Sequence, residues 1–172
     1  MSRPASAETA PYYFRYIDLV PDGDVVEILA KQLTETNSFL ARISEEESLY
    51  RYAPDKWTIR QVLNHLNDTE RVFLNRALWF ARGFAEPLPS FDQDIGVAGA
   101  DANRVIWTNL VEEFRHVRLD TLSFFRNLAP VAWSRTGVAS GNPFTVRALA
   151  YIIVGHTKHH EAVIRERYLS DA

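Results

Sequence analysis

Apolar residues recur along this chain at intervals of three and four, in four long runs separated by stretches rich in proline and glycine. That spacing predicts amphipathic helices, each turning one face to a core. The first run, residues 24–47, opens on Asp24 with Glu27 three positions on, a capping-box pattern. It carries Val25, Ile28, Leu29, Leu33, Thr36, Leu40 and Ile43 on one face. The second, 58–82, opens on Thr58-Ile59-Arg60-Gln61, a second capping box, and Gly83 suits its stop. Its face is Val62, His65, Leu66, Thr69, Val72, Phe73, Ala77 and Phe80. The third, 101–128, aligns Trp107, Leu110, Val111, Phe114, Val117, Thr121, Leu122, Phe125 and Leu128. The fourth, 145–168, follows Pro143 and has Thr145 to cap it. Leu149, Ile152, Ile153, His156, His160, Val163 and Ile164 form its stripe, roughly 120° wide at about 100° per residue.

Between the runs, residues 1–22 read as irregular, because Pro4, Pro11 and Pro21 interrupt any helix. Tyr12, Tyr13, Phe14, Tyr16 and Ile17 are too apolar for a free tail, so this segment is expected to pack on the body of the domain. Residues 84–100, with Pro87, Pro89, Gly96 and Gly99, read as a long loop, a length that points to a functional or interface role. Asp92 and Asp94 within it either bind a cation or are solvated, the ordinary state of acidic residues. No convincing strand pattern occurs. The expected fold is all-α: an up-down-type four-helix bundle, one domain over residues 1–172, with the long loop between helices two and three.

Histidines turn the pattern toward chemistry. Three of the five fall in the last run, and His156 and His160 stand one turn apart inside its apolar stripe, with His159 at the margin. His65 lies on the core face of the second helix, whereas His116 falls roughly 200° from Phe114 and should face solvent. A buried imidazole needs partners for both nitrogens. Two readings meet that need: core histidines satisfied by protein groups, or a pair at i and i+4 sharing a divalent metal. With His65 from a facing helix, the second reading gives a three-histidine site with an open coordination position.

Composition narrows the classes. A hydrophobic fraction of 47% supports one substantial core. The formal charge of −3 is interspersed and lacks a basic run, which argues against nucleic acid. The absence of cysteine excludes disulfides, thiolate metal sites and a cysteine nucleophile, and fits a cytoplasmic protein. Residues 1–11 lack the basic start and apolar centre of a signal peptide, and no apolar run approaches the ~18 residues of a membrane span. His156-Thr157-Lys158-His159-His160 lacks the glutamate of the zinc-protease helix, and Glu113-Phe114-Arg115-His116 is the single Glu-x-x-His spacing where a di-iron bundle needs two.

Three stretches together resemble the DinB-like (damage-inducible) metal-binding four-helix bundles. Lys56-Trp57-Thr58-Ile59-Arg60-Gln61-Val62-Leu63-Asn64-His65-Leu66 is similar to the segment carrying that family's first ligand. Leu88-Pro89-Ser90-Phe91-Asp92-Gln93-Asp94 is similar to its inter-helix loop, and Gly155-His156-Thr157-Lys158-His159-His160 to its last-helix motif. The resemblance implies His65, His156 and His160 as ligands of nickel or zinc, and a homodimer. It also implies a small-molecule substrate and, as in characterised relatives, S-transfer from low-molecular-weight thiols such as bacillithiol or mycothiol. A metal-dependent hydrolase and a non-catalytic metal-stabilised binding or stress-response module are the rivals. Asp68, one turn past His65, either supports the site or is a solvated helix residue. The enzyme reading requires a cavity at the metal, expected between the second, third and fourth helices and Phe91. Trp79, Phe84 and Trp133 fall outside the core stripes; they mark an interface or pack beneath the loop and connectors.

Overall fold

Side-chain caps set where most helices begin in the computed structural model, which describes residues 2–169. The N-terminal segment is not irregular: 3-10 turns at Ser6–Glu8 and Pro11–Tyr13 lead into one turn of helix, α1 (Phe14–Ile17). Pro11 starts its turn instead of breaking one, since a first-turn residue has no amide bond to lose. Tyr16 and Ile17 are buried, so the segment packs on the domain as its aromatic content predicts.

Asp24 caps α2 (Val25–Leu40) by accepting the Val26 and Glu27 amides at Oδ1. This helix ends short of the predicted residue 47. Ser44 and Glu47 exchange side-chain bonds with each other's amides, at 2.7 and 3.1 Å, and open a separate 3-10 turn, Glu47–Leu49. Such local bonds compete with continued helix. Thr58 and Gln61 form the predicted capping box of α3 (Ile59–Ala81), and Gly83 beyond it takes a positive φ of 83°.

The long loop is shorter than expected. Asp92 Oδ1 accepts the amides of Asp94 and Ile95 and so caps a helix, α4 (Gln93–Ala100). Asp101 stops it in the left-handed region, and a 3-10 turn, Ala102–Arg104, separates it from α5 (Trp107–Arg126). The third predicted run is therefore two elements with a break at its start. The connector after α5 also departs from expectation, because it contains strands β1 (Thr136–Ala139) and β2 (Asn142–Thr145), paired antiparallel. Ser140 and Gly141, at φ 53° and 71°, make the tight turn whose twist suits a hairpin. Leu88 joins the hairpin through bonds to Val138 and Ser140, which pins the loop before α4.

Thr145 caps α6 (Val146–Val163), which runs on into a π-turn, Ile164–Tyr168. Its apolar face is wider than the predicted stripe: every residue from 148 to 157 is buried. The helix packs against α1, α2 and α3 at once. At Gly155 the approach of α1 is so close that a Cβ would stand 2.0 Å from the Tyr16 carbonyl oxygen. The fold is thus an all-α four-helix bundle of α2, α3, α5 and α6, with a small hairpin added. Among the described residues no helix is long and apolar enough to cross a membrane.

The aromatics outside the stripes find partners within the chain. Trp79 stacks on Phe84 at 4.1 Å and donates to the Glu86 carbonyl, and Trp133 stacks on Phe125 at 5.2 Å.

Candidate metal centre

Three imidazoles meet where α3 faces α6. His156 Nε2 lies 3.1 Å from His65 Nε2 and 3.1 Å from His160 Nε2. All three donor atoms fall within 4.8 Å of one another. At bond lengths of about 2.1 Å, vertices of a tetrahedron around zinc are ~3.4 Å apart, so the donor set fits a divalent ion with modest adjustment. Thr69, one turn along α3, holds its hydroxyl 3.2 Å from His65 Nδ1. A proton on Nδ1 donated to that oxygen leaves the Nε2 lone pair facing the other two rings.

Burial keeps these rings neutral. Desolvation holds His65 down to about 4. It holds His160 down to about 3, with His65 and His159 adding to the effect. His156 is pushed well below its ordinary value, by desolvation first and then by the neighbouring imidazoles. Neutral imidazoles with converging lone pairs are metal donors, and a cation removes the repulsion between them.

Aromatic rings grip the cluster from three directions. Trp57 is tilted against His65 at 5.0 Å, Tyr16 stands edge-on to His156 at 5.2 Å, and Phe73 edge-on to the same ring at 6.2 Å. His159 contacts Tyr16 at 5.6 Å and His160 at 5.0 Å but is not one of the converging donors. His116 is exposed, with Glu112 at 3.2 Å. Asp68 turns away: its carboxylate accepts from Asn64 Nδ2 at 2.7 Å and pairs with Arg71 at 3.5 Å.

A buried ionic network lies directly behind the cluster. Arg118 of α5 is fully enclosed and donates Nε and Nη2 to the two carboxylate oxygens of Glu70, at 2.7 and 2.9 Å. Its remaining bonds reach Gln32 Oε1 on α2 and Thr157 Oγ1 on α6. Gln32 in turn donates to the Val154 carbonyl. Glu70 follows Thr69 and Thr157 follows His156, so one guanidinium ties the two helices that carry the clustered histidines to the other two.

A cavity of about 210 Å³ opens onto His65 and His156. Phe91 lines it as expected, but α5 supplies no residue; the third wall comes from Tyr12, Tyr13 and Tyr16. Arg76 of α3 completes it. The apolar excess of Tyr12, Tyr13 and Tyr16 predicts that they pack on the domain, but no signal in the sequence assigns them or Arg76 to the cavity.

Comparison with known proteins agrees with this architecture. The profile of the DinB superfamily matches residues 28–164. No curated protein matches the chain. Among solved structures, YfiT from Bacillus subtilis is described as a probable metal-dependent hydrolase with an unusual four-helix bundle topology. It is similar at a TM-score of 0.72 and 17% identity, over 99% of this chain and 93% of that one. At that identity the likeness carries the fold.

Proposed function

This chain belongs to the DinB superfamily, and from that premise we propose that it is a metal-dependent thiol S-transferase. In this reading His65, His156 and His160 hold nickel or zinc, and the adjoining cavity receives a low-molecular-weight thiol and a small electrophile. The observation that carries the proposal is the cavity itself: it reaches two of the three histidines, whereas an ion used only to brace a bundle needs no access.

His65, His156 and His160 would hold a divalent ion, which would supply Lewis acidity that lowers the pKa of a bound thiol. At neutral pH a free thiol with pKa ~8.5 is a few per cent ionised, so full ionisation is worth only about 10–30-fold. The chain must provide the rest through binding and orientation. Thr69 orients the His65 ring through its hydroxyl at Nδ1. Tyr16 and Phe73 hold His156 edge-on, and the three tyrosines with Phe91 line the space beside it. The Arg118 network keeps α3 and α6 in register, so that the donors stay convergent.

Hydrolysis is the second reading, favoured by the description of YfiT and by a cavity that would admit water to an ion held by the histidines. The test is thiol consumption with 1-chloro-2,4-dinitrobenzene and ester cleavage without thiol, each on zinc- and nickel-loaded protein and on the His156→Ala variant. Thiol-dependent product lost in the variant is the expected result. Metal-dependent ester cleavage indifferent to thiol would replace transfer by hydrolysis. Equal rates for native and variant protein in both assays would leave a binding module.

A further inference from the structure

Among the described residues Arg76 is a buried cation without a carboxylate partner. Its residue is 4% exposed, yet it lines the cavity that reaches the histidines. Most enclosed arginines in this chain are matched: Arg118 has Glu70 and Arg60 has Glu45. For Arg76 no carboxylate among the described residues serves; the groups that act on its charge are burial and the Tyr13 hydroxyl. Nη2 makes the two hydrogen bonds that fix its position, to the Pro89 carbonyl at 3.2 Å and Ser140 Oγ at 2.9 Å. A guanidinium removed from water and left unpaired is costly unless something charged joins it.

Position gives the missing anion a meaning. Arg76 Cζ stands 5.8 Å from the Phe73 ring centre, and that centre stands 6.2 Å from the His156 ring centre. Those two legs bound the guanidinium to within about 12 Å of the His156 ring, the span of one small molecule. Arg76 is the one cationic side chain lining the cavity among the described residues, and its other walls are phenols, phenyl rings, Val72, the two neutral imidazoles and neutral polar groups. One positive charge in a partly apolar cavity matches a monoanion better than a phosphate dianion, and the planar fork of arginine matches a carboxylate.

We propose that Arg76 anchors a carboxylate subsite, so that the ligand of this centre is a small organic acid held by its carboxylate at Arg76 with its reacting end at His65 and His156. The position of the reacting end rests on the active centre proposed above; the carboxylate subsite does not. A purely structural Arg76, stapling α3 to the Pro89 loop and the β1–β2 turn, would show no preference between an acid and its uncharged counterpart.

The experiment is calorimetric titration of the zinc-loaded full chain with hexanoate, 1-hexanol, 6-mercaptohexanoate and 6-mercaptohexanol, on native protein and on Arg76→Gln and Arg76→Lys. Each acid should bind about 10–100-fold more tightly than its alcohol, as a charge-assisted pair in a desolvated site would give. Arg76→Gln should abolish that ratio and Arg76→Lys keep part of it. The acid-to-alcohol ratio is also measured on metal-free protein, where a carboxylate has no zinc to bind, and it should persist there; its loss would overturn the subsite even if Arg76→Gln folds poorly. Cobalt-loaded protein gives a separate readout, a sulfur-to-metal charge-transfer band when a thiol coordinates. Thiols that coordinate with no preference for the acid would overturn the subsite and leave the thiol reading standing. An Arg76-dependent hexanoate preference without any thiol band would uphold the subsite and overturn the thiol reading. An acid preference that survives in a folded Arg76→Gln would overturn the assignment to Arg76.

Discussion

Replacing Glu70 by leucine isolates the energetic weight of the network behind the histidines. The substitution removes both oxygens that Arg118 Nε and Nη2 donate to, at 2.7 and 2.9 Å, while Gln32 and Thr157 remain as neutral acceptors. The guanidinium has no exposure at all, so it cannot turn to water for compensation. Two charge-assisted bonds at ~1.5–3 kcal/mol each, or a buried pair broken from one side at ~3–5 kcal/mol, give the same answer: a loss of about 4 kcal/mol. For a domain of this size that lowers the melting midpoint by about 8–16 °C. It is a large part of a typical total of ~5–15 kcal/mol, though the protein should still fold. The double variant Glu70→Leu/Arg118→Met removes the stranded charge together with its partner. It should recover at least half of the loss, since buried ion pairs are often replaceable by apolar residues of similar volume. Urea denaturation followed by far-ultraviolet circular dichroism completes the cycle. A single-variant loss below about 1 kcal/mol, or a double variant as unstable as the sum of the two singles, would refute the view that this pair is coupled and enclosed.

His156→Ala should abolish stoichiometric metal in elemental analysis, because His156 Nε2 is the donor within 3.1 Å of both others, whereas His159→Ala should retain it. Metal-free protein should lose stability as pH falls from about 6.5 toward 4: the unfolded chain takes up protons on imidazoles of ordinary pKa that the folded protein keeps neutral, His65 down to about 4. His65 alone contributes on the order of 3 kcal/mol across that window, and a flat profile of denaturation midpoint against pH would contradict its burial as a neutral ring. Gly155→Ala forces a methyl group into the Tyr16 carbonyl, so α1 must shift, at a cost of about 1–3 kcal/mol with faster proteolysis of the N-terminal segment. Unchanged proteolysis would show that α6 yields instead. Light scattering tests the homodimer; a monomer at micromolar concentration would remove it.

Much of the bundle is legible in the sequence because helix caps are local. Asp24, Thr58 and Thr145 each mark a helix start that the structure reproduces. The three histidines could be assembled because each sits on an apolar stripe, and two such stripes face each other. What escaped reading depended on long-range partners. Arg118 and Glu70 look like ordinary helix-surface charges until α2, α3, α5 and α6 are brought together around them. The β1–β2 hairpin is only four residues a side, too short for alternation to stand out, although Ser140-Gly141 carried its turn signal. Asp92 and Asp94 read as loop acids because Gly96 and Gly99 obscure the helix that Asp92 caps.

The seat of α1 on α6 also imposes an order in time. Glu8, which takes Arg147 and the Thr145 hydroxyl, is 139 residues from Arg147, and Tyr16 waits for Gly155 and His156 over a comparable distance. A ribosome releasing about 5–20 residues per second exposes the tyrosine-rich segment for roughly 7–30 s before the helix it docks on has been made. Closing so long a loop also carries an entropic cost that no local contact offsets. The wall of the cavity is thus synthesised well before the helix it is seated on. A nascent or truncated chain ending before α6 would leave Tyr16 and Ile17 without the helix that buries them, a surface suited to chaperones and proteases.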